Sequence, residues 1–127
     1  MHRSFICLTL AVSGLALGCG GSFPVPTQDL AAAQSAERSA AELGAAGQPS
    51  AQLHLQLARE QIAMANTAMK NGDNAHADSL LVRAKADAEL AIALTRDQSA
   101  KTEALKATDQ SNTQRTTNAN QQQGAAP

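Results

Sequence analysis

The chain has 127 residues, of which 43% are hydrophobic and only 2% aromatic, and its ten basic and eleven acidic side chains leave a formal net charge of −1. So balanced a charge points to neither nucleic acid nor an anionic membrane surface, and so few rings leave no stacking platform for bases or sugars. The length suits one small domain.

The N-terminus reads as a targeting segment. His2 and Arg3 are basic, and Phe5 to Leu17 is apolar apart from Thr9, Ser13 and Gly14. About 13 such residues is signal-peptide length, whereas a spanning helix needs about 20. The run ends in Leu15-Ala16-Leu17-Gly18-Cys19, which resembles a bacterial lipobox. That resemblance implies cleavage between Gly18 and Cys19, loss of residues 1–18 and acylation of Cys19. Cys7 is lost with the leader, so no disulfide can form. Bacterial lipoproteins carry three acyl chains, enough for stable anchoring where a single chain binds only marginally. Gly20 rather than Asp follows the cysteine, which in many Gram-negative bacteria implies the outer membrane, with the chain facing the periplasm.

Residues 19–26 form a short tether, flexible at Gly20, Gly21 and Ser22 and extended at Pro24 and Pro26. A first helix is predicted from Thr27 to Leu43, with Thr27 as its cap and Asp29 at the positive end of its dipole. Its apolar side is thin: Ala32, Ala33, Ala36, Ala40 and Leu43. Gly44, Gly47 and Pro49 then break the chain.

A second helix is predicted from Pro49, a residue suited to the first helical position, to Asn71. Leu55, Ala58, Ile62, Ala65 and Met69 fall on one stripe, and Leu53, Leu57, Met64 and Ala68 on another. Two stripes call for two neighbours, which makes this the expected middle helix of three. Leu53, Leu55, Leu57, Ile62, Met64 and Met69 are the candidate interaction face. Asn71-Gly72-Asp73 reads as a stop and restart, with Gly72 left-handed and Asp73 capping the next helix.

A third, long helix is predicted to about Lys106, burying Ala77, Leu80, Leu81, Ala84, Ala88, Ala91, Ile92 and Leu94. Arg83–Asp87, Lys85–Glu89 and Asp97–Lys101 are spaced for pairing across one turn. From Thr108 to Pro127 the chain is polar and simple and is expected to be a disordered tail. The expected fold is therefore all-α: a helical hairpin or three-helix Ala-rich bundle over residues 27–107, with a long third helix.

Taken together, the Ala-rich first helix, Gln48-Pro49, Lys70-Asn71-Gly72-Asp73, Ala77, Ala84 and the run Asp87-Ala88-Glu89-Leu90-Ala91 resemble the bacterial lipoproteins grouped as domain of unknown function 4398. The resemblance covers about residues 15–107 and implies a place in the Gram-negative envelope. It brings no activity with it.

No chemical motif emerges downstream of Cys19. His54 and His76 lack a Cys partner or a His-Glu-x-x-His spacing, so no metal site is expected. Asp73 and Asp78 read as a cap and a solvated face. No nucleophile elbow, phosphate loop or free thiol is present, and no cofactor or small-molecule substrate is implied. Few large apolar side chains remain to stabilise a small domain. The expected role is thus a non-catalytic adaptor held to a membrane through lipid at Cys19 and docked on an envelope protein. The alternative is a self-associating coiled-coil spacer between outer membrane and periplasm.

Overall fold

The structure is a computed structural model that describes residues 23–124. The lipobox residues Gly18 and Cys19 lie outside the described residues. Three helices follow in order: α1 over Thr27–Glu42, α2 over Pro49–Lys70 and α3 over Asn74–Gly124, with a single 3-10 turn at Ala45–Gly47 between the first two. No strand occurs among the described residues.

Helix boundaries follow local chemistry. Thr27 is the first helical residue rather than the cap, because Pro26 takes the cap position and offers no side-chain acceptor. The backbone compensates: the Leu30 N–H donates to the Pro26 carbonyl at 3.0 Å. Pro49 opens α2 as expected, since its missing N–H would have had no partner in the first turn. At the other end of α2, Gly72 takes φ +77°. The Gly72 N–H then reaches the Met69 carbonyl at 3.0 Å and the Asp73 N–H reaches the Ala68 carbonyl at 2.9 Å. This is a Schellman closure, which satisfies the last carbonyls of α2 and needs a residue free to adopt positive φ. Asp73 then caps α3, its Oδ1 accepting from the His76 N–H at 3.2 Å.

Packing departs from the expected order, because α3 and not α2 is the central helix. It lies along both α1 and α2, whereas α1 and α2 touch each other much less. The core explains why. Ala33 of α1 joins Ala65 and Ala68 of α2 and Ala77, Leu80, Leu81 and Ala84 of α3 in one cluster near the Gly72 hinge. Ala40, Ala45, Ala51, Leu55 and Ala91 form a second at the opposite end, closed by Ile92 and Leu94. In α3, the apolar arc containing Leu80, Leu81, Ile92 and Leu94 is wide enough to serve two neighbours. Among the described residues, eleven of the fourteen buried hydrophobic residues are alanine, and only Leu55 and Leu81 are large and fully buried. Alanine contacts bury little area each, so the bundle depends on close approach along its length.

The expected disordered tail is not what the structure holds. α3 continues as one helix of 51 residues to Gly124, about 75 Å at 1.5 Å per residue. No Gly or Pro interrupts the chain between Asn74 and Gln123, so nothing in the backbone chemistry stops the helix. Every residue from Arg96 to Gly124 is exposed. The threonines there turn inward on their own helix: Thr102, Thr108, Thr113, Thr116 and Thr117 each donate to the carbonyl four residues back, at 2.9–3.0 Å.

Candidate interaction surface

The six predicted face residues do not form one surface. Leu55 is 1% exposed and belongs to the core, while Ile62 and Met69 are half-buried against the hinge-side cluster. These three pack within the bundle, Leu55 completely and Ile62 and Met69 in part. The other three lie on the second stripe: Leu53 is 57% exposed, Met64 is 50% exposed and Leu57 is half-buried. Ala68, assigned to the same stripe, is buried. Leu43, expected on the apolar side of α1, is also exposed, since the helix ends one residue before it.

A polar clamp sets how α2 and α3 meet, and with it the position of the exposed stripe. Asp87 of α3 reaches two residues of α2 that stand seven apart on one face. Its Oδ1 lies 2.9 Å from His54 Nδ1, and its Oδ2 accepts from Gln61 Nε2 at 2.8 Å. A carboxylate only accepts, so the imidazole carries its proton on Nδ1. Asp87 is thus committed across the seam and does not pair with Arg83. Lys85–Glu89 and Lys101–Asp97 do approach within their helix, at 3.7 and 2.7 Å. A further bridge, Arg59 Nε to Glu37 Oε1 at 2.6 Å, ties α2 to α1. The clamp could be read only in part from sequence. His54 sits between the two stripes of α2, but its partner on α3 is 33 residues away and its level depends on the hinge.

With Asp87 level with the turn between His54 and Gln61, Leu90 stands level with Leu53 and Leu57. Leu57 follows His54 by three positions and Leu90 follows Asp87 by three, so both lie on the same side of the α2–α3 seam. That side faces away from α1. Leu90 is 42% exposed. Leu53, Leu57 and Leu90, with Met64 further toward the hinge, therefore make a ridge of large apolar side chains across two helices. Glu60 and Arg83 border it. Leu90 was outside the predicted face; its signal was a large apolar residue one position off the buried arc of α3.

The remaining polar groups are dispersed. His76 is exposed at the hinge, far from His54, and the structure does not bring the two together. Among the described residues no three His, Cys, Asp or Glu side chains gather as a metal cluster. Open depressions occur beside the Glu37–Arg59 bridge and beside the hinge, where Met64, Thr67, Asn71 and His76 line one. No helix among the described residues is long and apolar enough to cross a membrane.

A family model described as Domain of unknown function (DUF4398) matches residues 28–107. The matched span starts in the first turn of α1 and ends in α3, about three turns past the last buried residue, Thr95. No curated protein and no solved structure matches the chain.

Proposed function

The chain belongs to the DUF4398 family, and from that premise we propose that it is a lipid-anchored envelope protein that works without catalysis, by holding a second protein against its α2–α3 ridge. Leu53, Leu57, Met64 and Leu90 carry this reading. A small helical domain short of large core residues leaves Leu53, Met64 and Leu90 exposed and Leu57 half-buried, on one side of one seam, bordered by charge. Exposed leucines gathered in this way mark interaction surfaces, whereas scattered ones do not. The lipobox supports anchoring at Cys19. The outer membrane is the proposed location, since Gly20 follows the cysteine.

The alternative, a spacer built by self-association, meets an electrostatic obstacle. Arg83, Leu90 and Asp97 are spaced by sevens along one face of α3. Copies anchored in one membrane stand parallel, so Arg83 would face Arg83 and Asp97 would face Asp97. Such like-charge contacts disfavour pairing in register. A foreign partner carries no such constraint.

The test is cross-linking in the native cell with a photoreactive residue at position 53, and at exposed Arg38 of α1 as control. Mass spectrometry reads both the adducts and the acyl mass on Cys19. One defined envelope protein captured from position 53 and not from position 38 is the expected result. Adducts only with itself would establish the spacer in its place, and an unmodified Cys19 would remove the anchor.

A further inference from the structure

We propose that the hinge end of the bundle rests on the lipid surface, with Phe23 and Val25 in the interface and α3 standing away from it. This inference rests on acylation of Cys19, the anchoring half of the function proposed above. Cys19 precedes Phe23 by four residues, a span of at most about 14 Å. The chain is then fastened to one particular end of the bundle. Asn74, the first residue of α3, donates from Nδ2 to the Phe23 carbonyl at 2.8 Å. Pro26 is buried, and Leu30 of α1 packs into the hinge-side cluster with Ala68 and Ala77. The tether therefore leaves the bundle beside Gly72 and has no slack to reach the other end.

Phe23 and Val25 sit at that point with 48% and 54% of their surface exposed. Two large apolar side chains a few residues from acyl chains meet the interface region of the bilayer. Lipid is the occupant these positions fit, because the length of the tether leaves no room for a protein between. Asp29, Asp73 and Asp78 outnumber Lys70 around the same end, so the contact is apolar and shallow rather than a basic patch on anionic headgroups.

The direction of every other element follows. α1 and α3 run away from the membrane and α2 returns to it. Leu90 lies 16 residues beyond Asn74, which lifts the ridge about 24 Å off the surface, and Gly124 stands about 75 Å away. The ridge thus meets a water-exposed part of its partner and not a membrane-embedded segment.

Resonance energy transfer to acceptor lipids tests this with the acylated full chain in phosphatidylcholine vesicles. A donor dye is placed through His76→Cys or Gln122→Cys; the acylated Cys19 thiol does not react. Transfer from position 76 is expected to exceed that from position 122 several-fold. Phe23→Ser with Val25→Ser should lower transfer at position 76 while thermal melting and acylation stay unchanged. Equal transfer from 76 and 122 on an acylated chain would mean that α3 lies flat, and would overturn this orientation while leaving the anchor in place. A chain whose Cys19 carries no acyl mass would overturn both.

Discussion

An alanine-lined seam is smooth, and smooth seams slide. Among the residues joining α2 to α3, Asp87 is the one whose contacts fix a single register, because His54 and Gln61 hold its two oxygens from positions two turns apart. Shifting α2 by one turn would break at least one of these bonds and desolvate a carboxylate. Gln61 Oε1 is buried and makes no hydrogen bond to protein, and drawing a carboxylate, an amide and an imidazole out of water offsets part of what their hydrogen bonds gain. The clamp is therefore better read as a device for specifying the register than as a large source of stability. Asp87→Ala should destabilise the fold by about 1–3 kcal/mol, measured by urea unfolding followed by circular dichroism. The double variant with His54→Ala should show a coupling energy of about 1 kcal/mol. Strict additivity would mean that the 2.9 Å contact does not contribute in solution.

At the scale of helices, α3 is two objects in one. Up to Thr95 it is held by α1 and α2; beyond it every side chain is in water. Helices isolated in water are marginal even when rich in alanine, and threonine and asparagine there are weaker formers by up to about 0.7 kcal/mol each. The ion pair between Lys101 and Asp97, being exposed, adds little. Ending the chain after Ala100 should therefore leave stability within about 0.5 kcal/mol of the full chain, and hydrogen exchange should rise steeply between Thr95 and Leu105. A large loss on truncation would reveal a contact that the distal helix makes elsewhere. This division also shows what was legible in the sequence. Stops at Gly44 and Gly72 and the starts at Pro49 and Asp73 were readable because each is a local backbone event. Continuation of α3 past Lys106 is not legible in the same way, because the polarity of that segment predicts disorder although no breaker stands before Gly124. The identity of the central helix is hidden from the sequence for another reason. Periodicity gives α2 two stripes, but alanine on α3 buries as completely as leucine while adding little to an apolar pattern.

For the whole molecule, the same shortage of large residues makes the outer ridge informative. Leu53 and Leu90 would each strengthen a core in which, among the described residues, only Leu55 and Leu81 are large and fully buried, yet they lie outside it. The clamp at Asp87 holds them there: a rotation of α2 that brought Leu53 inward would pull His54 away from its carboxylate. Their exposure is thus a consequence of the chosen register, and register and surface form one design. Replacing Leu53 and Leu90 together by glutamate separates the two roles. Both residues are solvent-facing, so thermal melting should stay within a few degrees, corresponding to about 1 kcal/mol or less. Cross-linking from neighbouring Leu57 should disappear, because a charged ridge must be desolvated to accept an apolar partner. Unchanged cross-linking would move the docking surface elsewhere, and collapse of the fold would mean that the ridge is part of the core after all.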